Sequence, residues 1–182
     1  MGTVLRDLVA FVVLSGVIGI LAHVLGEALP RAAFDHTKFP YAPYAWERSG
    51  RIYNRLHIER WKNKLPDKSR HVRSTIEKSI RGDCTPEHFL RLIRETCVAE
   101  FVHWALLLIS PLLLLALHSP AGVAATIVYG LSNLPFIMIQ RYNRPRLVRM
   151  YTRVSGGRAV ASATDSVSKG GAGNAAADPV LQ

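Results

Sequence analysis

Three apolar runs set into strongly basic chain constrain this sequence more than any other feature. Leu8 to Leu29 is nearly unbroken, interrupted late by His23 and Glu27. A second run, about Thr96 to Leu117, has leucine-rich stretches on both sides of Pro111, and a third covers about Ala121 to Ile139. Each is close to the roughly 20 residues that a helix needs to cross a hydrocarbon core. Only His118-Ser119-Pro120 separates the last two, which leaves room for nothing but an antiparallel hairpin. Pro111 and Pro135 fall inside their runs, and each frees the carbonyl four residues earlier, so a kink is expected at both. A cleaved signal peptide is the competing reading of the first run, because Ala28-Leu29-Pro30-Arg31-Ala32 loosely resembles a cleavage region. The run is longer than a usual signal core, and its leading segment carries Arg6 only against Asp7. The expected class is all-α: an integral membrane protein of about three transmembrane helices with a helical, basic cytoplasmic segment.

Hydrophobic residues make up 49% of the 182, yet the formal charge is +10, so apolar and basic residues must be segregated. A pI near 10.1 ordinarily points to nucleic acid. Here the basic residues flank apolar spans and no nucleic-acid motif occurs, so no nucleic-acid partner is expected. Residues 30–95 carry fifteen Lys/Arg against eight Asp/Glu, and Arg141, Arg144, Arg146, Arg149, Arg153 and Arg158 follow the third run without an acid. Basic flanks mark the cytoplasmic side. The expected layout is therefore an N-terminal span (1–30), a basic cytoplasmic segment with amphipathic helices (31–95) and a transmembrane hairpin (96–140). A basic cytoplasmic juxtamembrane segment (141–155) and a tail (156–182) complete it, with the N-terminus outside a cell membrane that the chain crosses several times. The tail is Gly, Ala, Ser and Val with few charges, a composition expected to stay disordered.

The segment between the first two spans carries Trp46, Tyr53, Leu56, Ile58 and Trp61, too much apolar weight for a linker, with Ile52, Leu56 and Arg60 at helical spacing. Thr85-Pro86-Glu87 reads as an N-cap, a proline at N1 and an acid in the first turn. The helix it starts has Phe89, Ile93, Cys97 and Phe101 at intervals of four. It either lies along the membrane surface or runs straight into the second span. Cys84 and Cys97 make neither a disulfide framework nor a zinc pattern.

Chemistry concentrates where the spans meet the basic side. Glu100 and His103 share a helix face at the start of the second span, where ionisable groups need partners or a function. A carboxylate beside an imidazole can fix its tautomer and raise its basicity, as a general base requires. The plainer reading stays open: Glu100 pairs with an arginine such as Arg144, and His103 sits at the interface beside Trp104. One Glu-x-x-His and the His23/Glu27 pair do not make up the di-iron pattern, so no metal is expected, and no cofactor. The first span ends with His23 and Glu27, the second begins with Glu100 and His103, and the third ends at Gln140, with Asn133 two turns below it on the same face. Three helices are thus expected to bring polar groups together on one side. The third run ends in Gln140-Arg141-Tyr142-Asn143-Arg144-Pro145-Arg146, which joins cations suited to phosphate or carboxylate to hydrogen-bonding side chains. Positive-inside flanking accounts for its charge but not for Gln140, Tyr142 and Asn143.

With those residues in hand, the chain resembles the glycosyl-4,4'-diaponeurosporenoate acyltransferase family, small membrane proteins of staphyloxanthin-type carotenoid synthesis. The likeness rests on Tyr53-Asn54, Arg60-Trp61-Lys62-Asn63-Lys64, Glu95-Thr96, Ala99-Glu100, His103-Trp104, Asn133, Pro135 and the run Gln140 to Leu147. It covers roughly residues 45–150; the Pro66 region and the tail depart from the family pattern. The resemblance implies transfer of a long-chain fatty acyl group, from acyl-CoA or an acyl carrier protein, to a sugar hydroxyl of a membrane glycolipid or glycosyl carotenoid. On that reading His103, supported by Glu100, is the base. Arg141, Arg144 and Arg146, helped by Lys62 and Lys64, hold the donor's phosphates. Asn133, Gln140 and Asn143 serve as oxyanion or sugar contacts beside Tyr142, and Trp61 stacks on a sugar or packs in the core. The alternative is a non-enzymatic module that binds an anionic lipid or organises a partner enzyme.

Overall fold

The computed structural model describes residues 2–62 and 85–171, and among these every regular element is helical. The helices are α1 (Gly2–Ala28), α2 (Ile52–Arg55), α3 (Ile58–Trp61), α4 (Pro86–Ile109), α5 (Pro120–Leu131) and α6 (Asn133–Gly171). Three stretches are long and apolar enough to cross a membrane: Gly2–Ala28, Pro86–Leu115 and Pro120–Gly156. Pro111 lies in the 3₁₀ stretch Ser110–Leu115 with which α4 ends, and Pro135 lies in the first turn of α6, just past the break at Ser132. Both prolines thus fall where a helix changes geometry rather than within a smooth bend.

Local signals at the helix starts are realised. The Thr85 side chain accepts from the His88 N–H at 3.4 Å and Pro86 occupies the first turn, so α4 begins there and runs directly into its span. Phe89, Ile93 and Cys97 of its stripe are fully buried, whereas Phe101 is exposed and meets Phe34 edge-on. The expected helix over residues 52–60 is split in two at His57, whose backbone is left-handed (φ 49°). Helix α6 continues to Gly171, into the segment whose composition suggested disorder. Residues 172–182 lie outside the described residues.

One end of the bundle is fastened by a carboxylate. Asp7 is 1% exposed, and its Oδ2 accepts from the backbone N–H groups of His118 (2.9 Å) and Ser119 (2.7 Å). Its other oxygen takes Arg6, and Ser119 caps α5 by accepting from Gly122 N–H at 3.2 Å. The acid thus satisfies donors left orphaned by the hairpin turn and the start of α5, and ties α1 to both. Asp7→Ala is expected to cost about 1–3 kcal/mol, because two buried donors lose their acceptor. A lower thermal midpoint in detergent, partly recovered by Asp7→Asn, would show it.

Between the ends, Gly122, Thr126 and Gly130 form a buried small-residue stripe on α5 that lets backbones approach closely. A Cβ at Gly130 would stand 2.6 Å from Ser110 Oγ but 3.5 Å from Ser110 Cβ. Gly130→Ala should therefore destabilise the bundle, and Ser110→Ala in the same chain should restore it, since the remaining contact is an ordinary one. At the opposite end the core is layered: Phe34, Cys97 and Val98, then Tyr53, Ile58, Ile139 and Tyr142, then Phe89, Ile93 and Leu147. The outward side chains of α1, among them Val12, Ile20 and Leu21, are exposed, as a lipid-facing helix requires.

Candidate functional site

The arginines of the run 140–146 turn inward. Arg141 is 7% exposed, and all five of its N–H donors are engaged. Its Nε meets Glu47 Oε1; Nη1 donates to Pro40 O (3.0 Å) and Glu100; Nη2 donates to Ala42 O (3.1 Å) and Glu47 Oε2 (3.3 Å). Arg144 donates from Nε to Thr96 Oγ1 (2.9 Å), from Nη1 to Tyr41 O (2.6 Å), and from Nη2 to Thr96 O (3.1 Å) and the second oxygen of Glu100. Two acids and two arginines thus form a closed, neutral network. It binds the segment 40–47 to α4 and α6.

The role of Glu100 differs from that expected for a partner of His103. Both of its oxygens are taken by arginines, which is the plainer of the two readings with Arg141 added. Sequence reasoning missed Glu47, 3% exposed, which also accepts from the Tyr53 hydroxyl (2.6 Å) and the Tyr44 N–H (3.0 Å). Burial alone would raise its pKa; the bonds from Arg141, Tyr53 and Tyr44 outweigh that and hold it below the usual carboxylate range. Burial, and after it the bond to Glu47, push the Tyr53 phenol up. A signal for this network was present in Pro40-Tyr41-Ala42-Pro43, where prolines leave carbonyls without helical partners, next to a lone acid among aromatics. His23 and Glu27 do not join the cluster: both are exposed, and Glu27 pairs with Arg31 at 3.4 Å.

His103 finds its partner across the helices. Its Nδ1 lies 3.0 Å from Asn133 Oδ1. The Asn133 amide nitrogen donates to the carbonyls of Tyr129 (3.0 Å) and Gly130 (3.4 Å), which orients the oxygen toward the ring. An oxygen can only accept, so Nδ1 carries the proton and Nε2 is the basic nitrogen of the neutral imidazole. The ring stacks on Phe136 at 4.6 Å with planes 9° apart, which fixes its orientation.

The remaining candidates gather around Tyr142. That ring, 2% exposed, has the Arg146 guanidinium 3.6 Å and the Lys62 ammonium 4.8 Å from its centroid. Asn143 is 1% exposed, and neither atom of its amide has a hydrogen-bond partner. Gln140 is buried. Trp61 is half-buried, donates from its indole N–H to Leu56 O (3.0 Å) and packs against the Tyr53–Tyr142 cluster, so of its two readings the structure shows core packing. Lys64, Asn63, the Pro66 region and Cys84 lie outside the described residues. Among the described residues no group of three or more His, Cys, Asp or Glu could hold a metal ion.

The profile described as glycosyl-4,4'-diaponeurosporenoate acyltransferase matches residues 36–153. Proteins of that name from Staphylococcus aureus strains bovine RF122 / ET3-1 and N315 are each 27% identical over 128 residues, 69% of this chain and 76% of theirs. The one from strain USA300 is 26% identical over the same shares. No solved structure matches. The matched stretch contains the pinned segment 40–47, the Glu47–Arg141–Glu100–Arg144 network, and the His103–Asn133 pair. With a family match whose bounds enclose all three, the chain belongs to the glycosyl-4,4'-diaponeurosporenoate acyltransferase family.

Proposed function

We propose that this protein transfers a long-chain acyl group from a thioester, carried by CoA or by an acyl carrier protein, to a sugar hydroxyl of a membrane glycolipid or glycosylated carotenoid. The observation that carries the reading is the Asn133–His103 pair, which presents an oriented imidazole base close to the boundary between the apolar spans and the polar segments. His103 Nε2 takes the proton of the sugar hydroxyl as its oxygen adds to the thioester carbonyl. The tetrahedral intermediate then collapses with loss of the thiolate, which takes the proton back from the imidazolium. Asn133 is a positioning residue in this scheme. Glu100, Arg141 and Arg144 frame the site rather than touch substrate.

The donor's anionic end falls to Arg146 and Lys62, the two cations that lie over the Tyr142 ring. Along α6, Asn133 and Arg146 are separated by about 20 Å of helical rise, comparable with an extended phosphopantetheine arm. Asn143 lies between them, about 15 Å from Asn133, too far to serve the same carbonyl as His103. Its unpartnered amide suits an amide of that arm or a sugar hydroxyl. Arg146→Gln and Lys62→Gln are each expected to raise KM for the thioester about tenfold with kcat little changed, the loss of one charge-assisted contact. The basic segments then lie on the cytoplasmic face of the cell membrane, where acyl thioesters are found. Lipid profiling of a deletion strain tests the reaction itself. A glycolipid lacking one acyl chain should accumulate; no change in any acylated lipid would refute the proposal.

A further inference from the structure

Phe39 is 82% exposed and Trp46 58% exposed, yet neither sits on a loose loop. Pro40 O and Ala42 O are held by Arg141, Tyr41 O by Arg144, and Glu47 by Arg141 and Tyr53. Tyr44 joins the rings together. It lies 6.5 Å from Phe39 and 6.1 Å from Trp46, the latter nearly parallel at 17°, with the Arg141 guanidinium 4.2 Å over its face and its hydroxyl bonded to Pro40 O. A rigid backbone thus presents a contiguous aromatic shelf outward.

The depth of that shelf can be measured from the opposite end of the bundle. Asp7 meets the hairpin turn at His118 and Ser119, and Gly26 of the same helix packs against Val102. These two levels are about 28 Å apart by helical rise, close to the roughly 30 Å of a hydrocarbon core. Leu29 packs just beyond, on the cluster of Phe34, Cys97 and Val98, one turn from Glu100 and its arginines. The shelf is bolted to those arginines. It is therefore held where hydrocarbon gives way to headgroups, and Lys38, 78% exposed, stands beside it in the chain. Tryptophan and tyrosine gather at this depth because their rings favour the apolar side and their polar atoms the wet side.

We infer that Phe39, Tyr44 and Trp46 form an interfacial membrane contact, in which the Glu47–Arg141–Glu100–Arg144 network sets how deep the rings enter the headgroup layer. The occupant of the shelf is the bilayer surface itself. The function is to seat the polar segment against the membrane, independently of which substrate the site takes.

The test uses the full chain with Trp61→Phe and Trp104→Phe, leaving Trp46 as the only tryptophan, in vesicles of phosphatidylcholine and phosphatidylglycerol. Trp46 emission should be blue-shifted and quenched strongly by lipid brominated near the headgroup end of its chains. Lipid brominated near the chain terminus should quench it weakly, and aqueous acrylamide less still. Should that variant not fold, a spin label on Phe39→Cys in a Cys84→Ser background, Cys97 being buried, reads the same depth by its collision with oxygen against a water-soluble nickel complex. Free access of acrylamide or nickel with no lipid contact would overturn the inference. So would quenching relieved by a soluble glycoside, which would make the shelf a sugar platform.

Discussion

Replacing Glu100 by alanine is expected to cost about 3–5 kcal/mol, the usual penalty for removing one partner of a buried ion pair. The reason is the geometry of the two guanidinium groups it neutralises. Arg141 keeps Glu47, but among the described residues Arg144 has no other acid: its remaining bonds there go to Thr96 and to the Tyr41 carbonyl. An arginine cannot shed its charge, so Arg144 stays ionised in a dry environment without a counter-charge. The loss should appear as a large drop in the thermal midpoint in detergent and as protease cutting within residues 34–50, because the same arginine pins that segment. Glu100→Ala combined with Arg144→Leu should be less destabilised than Glu100→Ala alone, since the orphaned charge goes with it. A catalytic carboxylate would behave otherwise, with activity lost and the fold intact.

His103→Ala is expected to do the reverse. The ring is half-buried, and its loss removes a stack on Phe136 and one bond to Asn133, so the fold should survive. The rate of acyl transfer should fall by about 10²–10⁴, the usual contribution of a positioned general base. Asn133→Ala should lose part of that rate, because Nδ1 no longer has an acceptor to hold the proton on that nitrogen and leave Nε2 basic. A merely structural histidine would leave the transfer rate of the folded variant unchanged.

Much of the fold was legible because hydrophobic length and turn chemistry are local properties. The three spans, the hairpin at His118–Pro120 and the Thr85 cap all follow from a few adjacent residues. What failed was long-range. Glu100 and His103 share a helix face, so spacing allowed that pair beside the plainer Glu100–Arg144 contact; the structure has the latter, adds Arg141, and gives His103 to Asn133. A three-residue interval shows which groups can meet along one helix, but not which group on the facing helix satisfies them first. Arg141 read as a cation waiting for phosphate, and Arg144 as that or a partner of Glu100, because sequence shows charge and not the carbonyls of Pro40, Tyr41 and Ala42, some hundred positions away. Glu47 was passed over for the same reason. The split at His57 was invisible because a left-handed backbone at a non-glycine residue carries little sequence signal.

The most direct test of interfacial acyl transfer by His103 is a transfer assay on purified protein in a lipid bilayer. It would use a long-chain acyl thioester, a glycosylated carotenoid, and wild type beside His103→Ala at matched thermal midpoints. Wild type should yield the acylated sugar and free thiol in equal amounts, with the folded variant slower by about 10²–10⁴. A folded His103→Ala protein that transfers the acyl group at the wild-type rate would contradict the assignment of the base, and with it the site built around Asn133.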